Sequence, residues 1–291
     1  MAVTEPDDPA PRAGAAAAPD ASAAPLSPAA FRRHALRRAA GNFALLKHRH
    51  CAGQLVSMHQ AGTHWLKFML ANALSYQYAT PPPRYNHAND IIGGPRDAVV
   101  HPQLPRLLSS HSLPHPAMRW GWLHACLQLP PYVVLVRDLR DSLVSNYAKW
   151  QARYDVPFAV YVRGDQRSKR YNSDIWWCIR FMNAWGALAK GLPQRVTVVR
   201  YEDLRGDPAH ELARVARAFG LALDNAALAH GIAVSSKAHM AVKEDPARPP
   251  GAVRESSGDP RTAYDRAARE FVGAVCARYL EYDFGYDFAR W

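Results

Sequence analysis

The chain has 291 residues, 48% of them hydrophobic, and a formal charge of +11 with a pI of 9.7, enough for one sizeable α/β core without demanding a second. The positive excess points to an anionic partner, whether nucleic acid, an acidic membrane surface or a multiply phosphorylated small molecule. No stretch reaches the roughly 18 uninterrupted apolar residues that span a bilayer, and Cys51, Cys126, Cys178 and Cys276 lie far apart with no CxxC pair, against a disulfide framework or a cysteine zinc site.

Residues 1–28 are almost entirely Ala, Pro, Asp and Ser. They hold too little large apolar surface to offset the entropy of ordering, so a disordered tail is expected before a single domain over residues 29–291. The tail lacks the apolar run of a signal peptide, and a cytoplasmic location is expected. Arg32, Arg33, Arg37 and Arg38 then recur at helical spacing beside Phe31, Leu36 and Ala40, the pattern of a basic amphipathic helix. A solvated helix packed on the domain is the simpler reading, and peripheral membrane contact is the alternative.

The run QLVSMH from Gln54 to His59 predicts a strand, Gly62 turns the chain, and WLKFMLANAL continues at helical spacing. A Pro-rich region from Pro81 to Pro105 predicts surface loops around a site, and RLLSSH a second short strand ending at His111. YVVLV, from Tyr132 to Val136, is apolar on both faces as a central parallel strand requires, and RDLRDSLVSNYAKW after it has helical character. Residues 173–190 predict an amphipathic helix whose Trp176, Trp177 and Trp185 belong to the core or a cleft wall, and RVTVVRY predicts a strand ending at Tyr201. Asp207 and Pro208 fit the cap and first position of the helix AHELARVARAFG, stopped by Gly220. Strands alternating with helices predict a single α/β domain with a central parallel sheet flanked by helices. Its site lies at the carboxyl ends of the strands, where the loops at Gln60, His111, Arg137 and Tyr201 open.

The turn HQAGTHW sets the backbone N–H groups of Ala61, Gly62, Thr63 and His64 at a helix N-terminus, where unpaired donors and the helix dipole favour a phosphate. A Walker A loop needs GxxxxGK(S/T), but Thr63 follows Gly62, so the lysine of an ordinary P-loop kinase is missing. SMHQAGTHWL, VVLVRDLRDSLVSNYAKW and RYEDL together resemble segments of the sulfotransferase family that uses 3′-phosphoadenosine 5′-phosphosulfate (PAPS). Gly62, Thr63, Trp65 and Leu66 match its 5′-phosphosulfate loop, Arg137 and Ser145 its 3′-phosphate segment, and Tyr201 its adenine-bordering tyrosine. SSKAHM is similar to its adenine-side segment, with Ser235, Ser236 and Met240 in register and Lys237 where an aromatic usually sits. VRESSGDP resembles its C-terminal loop that closes on the 3′-phosphate, with Arg254 and Gly258 in place if the loop is one residue short. RLLSSHSLP is similar to the stretch holding its catalytic histidine, which makes His111 the candidate base, a role that a near-neutral pKa suits.

The resemblance implies a P-loop-like nucleotide-binding fold that moves a sulfuryl group in line from PAPS to a hydroxyl or amine of a small-molecule, glycan or lipid acceptor. Gln60, Ala61, Gly62, Thr63, His64 and Trp65 then form the phosphosulfate side of the site. Arg137 offers a planar donor fork, and Ser145 and Arg254 further bonds, to the 3′-phosphate. Gln60 stands where the family carries a lysine or arginine on the oxygen bridging sulfate and phosphate, and an amide brings no net charge. His59 or His64, when protonated, are the candidates to replace it, since Lys67 lies about two helical turns beyond. The departure keeps a second reading open, a PAPS-binding or partner-binding protein of the same fold without turnover. A basic nucleic-acid-binding protein is a third, with no helix-turn-helix, zinc-finger or RNP-like signature behind it. No metal is expected, because Pro114 between His111 and His115 breaks the helix that would aim both rings at one ion. Acceptor loops are expected at 76–101 and 153–171, and monomer and homodimer stay equally open.

Overall fold

The computed structural model describes residues 25–47, 50–167, 170–247 and 259–291. Five strands, β1 (Gly53–Ser57), β2 (Ile92–Gly93), β3 (Leu107–Ser110), β4 (Tyr132–Val136) and β5 (Val196–Arg200), form one sheet in the order β2-β3-β1-β4-β5. Every pair is parallel. β1 and β4 are buried at all five positions, which is why β4 runs apolar without alternation, whereas β1 buries the polar Gln54 and Ser57 as well. The longer helices are α1 (Pro28–Ala40), α2 (Thr63–Gln77), α3 (Leu139–Tyr154), α4 (Ile175–Gly191), α5 (Pro208–Ala218), α6 (Asn225–Ala233) and α7 (Arg266–Tyr279).

Aspartates start five of these helices. Asp138, Asp174, Asp207, Asp224 and Asp265 each accept a first-turn backbone N–H of α3, α4, α5, α6 and α7, and such a cap is worth about 1 kcal/mol. The cap at Asp138 also explains why α3 begins at Leu139 rather than at Arg137. Pro208 takes the first position of α5, and Gly220, with φ 66°, follows its end. α2 differs: its cap is Gly62, which contributes no side-chain bond.

The strand expected over 54–59 stops at Ser57, because the chain bends through Met58 and His59 into a left-handed Gln60 with φ 61°. The Pro-rich region expected as surface loop holds the edge strand β2 and the buried residues Asn86, Ala88, Ile91 and Ile92. A two-residue strand is too short to leave a periodic trace. Within the 153–171 stretch expected to line an acceptor pocket, the tyrosines are core: Tyr154, Tyr161 and Tyr171 pack together, and the Asn146 amide lies 3.0 Å from Tyr154 Oη and 2.9 Å from Tyr161 Oη.

Of the stretch expected to be a tail, residues 1–24 lie outside the described residues, while its end is fixed. Leu26 N–H donates to Gln166 Oε1 at 2.7 Å, Tyr279 Oη donates to Leu26 O at 2.6 Å, and Ser27 caps α1. Phe31 then inserts between Trp176 and Tyr279, with ring centroids 5.6 and 5.4 Å away. Among the described residues no helix is long and apolar enough to cross a membrane.

α4 divides its tryptophans between the two places expected of them. Trp176 and Trp185 are buried, whereas Trp177 is half-buried and faces His59. Trp185 packs on Tyr132 and Phe181 and donates from Nε1 to Ser112 O at 3.1 Å. Trp185→Ala should therefore lower the unfolding free energy by about 3 to 5 kcal/mol, read from the urea midpoint. A loss below about 1 kcal/mol would show that the core collapses around the gap.

Candidate active site

The sheet register lines up the site. Val56 pairs with Ser110, Ser57 with Leu135 and Val136 with Arg200. The residues just past each strand, His111 after β3, the turn 58–62 after β1, Arg137 after β4 and Tyr201 after β5, therefore emerge side by side at the carboxyl edge. Gly62 has φ 87°, and a Cβ there would meet Tyr201 Cδ2 at 2.6 Å, so the position needs glycine for both its conformation and its space. The Ala61 N–H closes the turn onto Met58 O at 3.2 Å, so it is not one of the donors aimed outward. The first amides of α2, at Thr63, His64 and Trp65, stand at an end without a side-chain cap, the arrangement that suits an anion.

His111 is exposed and joined to this turn. Its Nδ1 lies 2.8 Å from Ser57 O and 3.2 Å from Ser57 Oγ, and Ser57 Oγ lies 2.7 Å from Thr63 Oγ1. A carbonyl only accepts, so Nδ1 carries the hydrogen and the lone pair of the neutral ring sits on Nε2. His59 stacks on the ring with centroids 4.1 Å apart and is itself backed by Trp177 at 4.5 Å.

On the other side of the turn, Arg137 donates from Nη1 to Gln60 O at 3.1 Å and lies over the Tyr201 ring at 4.6 Å. Its Nε is buried with no hydrogen-bond partner, a donor that an anionic oxygen would satisfy. Ser145 Oγ donates to Gln60 Oε1 at 3.4 Å. Lys149 follows one turn later on the same face of α3.

The histidines do not supply the charge that Gln60 lacks. Burial, together with the charges of His111 and Lys149, lowers His59 far below the ordinary imidazole range. Burial, Lys67 and Lys149 push His64 down to about 3. Both rings are neutral near pH 7, which corrects the expectation that either carries the charge. Lys67 is buried and donates to Asn89 Oδ1 at 2.6 Å. Lys149, whose ammonium lies over the Trp150 ring at 5.1 Å, is a cation whose charge disfavours protonation of both His59 and His64.

The remaining expected residues fall into three groups. Trp65 edges against Tyr201 at 6.2 Å and donates from Nε1 to Ser235 O at 3.0 Å, while the Ser235 hydroxyl is spent on Gly231 O at 2.6 Å. Ser235 is thus joined to the site by its backbone. Ser236 caps the short helix Lys237–Val242, within which Met240 is buried and accepts at its carbonyl from Asn86 Nδ2. Arg254 and Gly258 lie outside the described residues. His115 turns from His111 to stack on Phe43, and no group of three metal-binding side chains gathers among the described residues. Sequence reading missed Ser57, a serine ending an apolar strand, and Lys149, four residues after Ser145, a spacing that could have flagged it.

The family described as the sulfotransferase domain matches residues 54–247, well over half of the chain. The chain belongs to the sulfotransferase family. Among solved structures it is similar to the mouse sulfotransferase SULT7A1 complexed with PAP, at 14% identity and a TM-score of 0.56, covering 87% of this chain and 92% of that one. It is also similar to retinol dehydratase in a complex with retinol and PAP, at 16% identity and a TM-score of 0.55, covering 88% of each chain. A second retinol dehydratase structure, with androsterone and inactive cofactor PAP, matches at 16% identity and a TM-score of 0.52, covering 87% of this chain and 88% of that one. No curated protein gives a significant match by sequence. At these identities the structures establish the sulfotransferase fold, a single α/β domain on an all-parallel sheet.

Because folded His64 stays neutral down to about pH 3 while an unfolded histidine protonates near 6.5, the unfolded chain binds the extra proton between those values. Stability should then fall as pH drops through that window. His64→Gln should flatten this acid limb, measured by urea unfolding at about pH 7 and about pH 5. An unchanged slope would mean that His64 protonates in the folded protein.

Proposed function

We propose that this sulfotransferase-family protein moves a sulfuryl group from PAPS to a hydroxyl or amine of a small-molecule acceptor, with His111 as general base. The observation that carries the reading is the chain from Thr63 Oγ1 through Ser57 to His111 Nδ1, which ties an anion-ready helix end to a base of fixed tautomer. The neighbouring folds held PAP, and retinol or androsterone in two of them, in keeping with that donor and with a small acceptor.

PAPS supplies an activated sulfuryl group. Thr63 and the first amides of α2 bind its 5′-phosphosulfate end, Trp65 and Tyr201 border the base, and Arg137 and Ser145 hold the 3′-phosphate, joined by Arg254. His111 Nε2 takes the acceptor's proton as the new bond to sulfur forms and the bond to the 5′-phosphate breaks, leaving sulfated acceptor and PAP. Gln60 orients by hydrogen bonding, and Lys149 brings the positive charge to the departing oxygen. Catalysis rests on positioning and electrostatics, as in phosphoryl transfer.

Calorimetric titration with PAP should show tight binding, weak binding of 5′-AMP, and a loss of about 10- to 100-fold in Arg137→Ala. A folded protein that ignores PAP would overturn the reading. Lys149→Ala should slow sulfuryl transfer to a panel of phenols by about a hundredfold with PAP affinity far less affected, and Lys149→Arg should recover part of the rate. Undiminished transfer would remove Lys149 from the charge role, and a parent protein that binds PAP without turnover would favour the binding-only reading that Gln60 motivates.

A further inference from the structure

Away from the sheet edge, a stretch of surface that hydrogen bonds link from α1 to the 3₁₀ turn after His115 combines exposed large apolar side chains with arginines that form no ion pair among the described residues. α1 contains no acidic residue. Phe31 and Ala39 point inward, while Arg33, Leu36, Arg37 and Ala40 share the exposed side, with Leu36 44% exposed. Arg32 is committed to Glu281 at 3.4 Å and Arg38 is half-buried, so Arg33 and Arg37 carry the outward charge.

The end of α1 is pinned to the segment after His111. His115 Nε2–H donates to Ala40 O at 3.1 Å, and Asn42 Nδ2 donates to Leu113 O at 3.2 Å. Phe43, 51% exposed, stacks on the His115 ring at 5.0 Å. The same histidine accepts from Ala117 N–H at Nδ1 and so caps the 3₁₀ turn Pro116–Arg119. That turn delivers exposed Arg119 and then Trp120 and Trp122, whose indoles lie parallel with centroids 6.1 Å apart and are 57% and 63% exposed.

We propose that this face, Arg33, Leu36 and Arg37 with Phe43, Trp120 and Trp122, docks on a bilayer of anionic lipid. Tryptophan is the side chain best suited to the headgroup boundary, because its ring is apolar and its N–H is satisfied by polar groups there. Arginines on an adjacent helix supply attraction to anionic headgroups, and the overall charge of +11 carries the same sign. Exposed apolar side chains rimmed by charge mark an interaction site, and a helix without acidic residues favours a negative partner. The aromatic rings can stack on bases as well, but the exposed Leu36 gains by entering lipid and has no comparable partner on a nucleic acid. Contact of this kind lies in the interface plane and needs no spanning helix.

The test is flotation of the full chain with vesicles of phosphatidylcholine alone and with an added fraction of phosphatidylglycerol, comparing the parent with Trp120→Ser/Trp122→Ser and Arg33→Glu/Arg37→Glu. PAP titration and circular dichroism verify that each variant is folded. The parent should float with the anionic vesicles only, salt should weaken it, and each double variant should lose at least about tenfold in bound fraction. Failure of the folded parent to float, or variants that float like the parent, would overturn the proposal whether or not PAP binds. So would binding of a single-stranded oligonucleotide, lost in the tryptophan variant, without vesicle binding, since that outcome assigns the face to nucleic acid.

Discussion

Gly62 leaves a space that Tyr201 fills, and the rest of the site depends on that close approach. With φ 87° and a tyrosine carbon 2.6 Å from where a Cβ would stand, the turn after β1 is drawn onto the residue following β5. Arg137, emerging between them from β4, completes the contact by donating to Gln60 O while its guanidinium covers the Tyr201 ring. Three strand ends are thereby held in one arrangement beside the start of α2, which has no side-chain cap. The left-handed Gln60 is the cost of this geometry, of the order of 1–2 kcal/mol for a residue with a Cβ. The hydrogen bonds of Arg137 and Ser145 to the same residue hold it there.

On the opposite flank the electrostatics are set by burial. Burial between Trp177 and His111 disfavours the charged form of His59, so the stack adds no competing charge beside His111. The Ser57 carbonyl fixes the hydrogen of His111 on Nδ1, so the tautomer does not have to be selected at each encounter. Arg137, which follows β4, brings a positive group against the turn by donating to Gln60 O.

The net charge is also divided in space. Arg137 and Lys149 belong to the sheet-edge site, whereas Arg33, Arg37 and Arg119 belong to the face bearing the tryptophan pair. One composition figure thus conceals two separate groups of positive side chains, and only folding separates them.

The sequence by itself determined β1, β3, β4, β5, α1 to α5 and their order, because short apolar runs and helical periodicity are properties of contiguous residues. It likewise marked Gly62, Thr63, Arg137 and His111 as candidates, since each follows a strand or opens a helix. It did not show β2, whose two residues have no period, nor that the tyrosines of 154–171 are core, because burial depends on what packs against them. Most of all it did not show the neutrality of His59 and His64 or the reach of Lys149. A pKa reports desolvation and charges brought from other strands and helices, and those neighbours exist only once the parallel register has set His111, the turn, Arg137 and Tyr201 in one row.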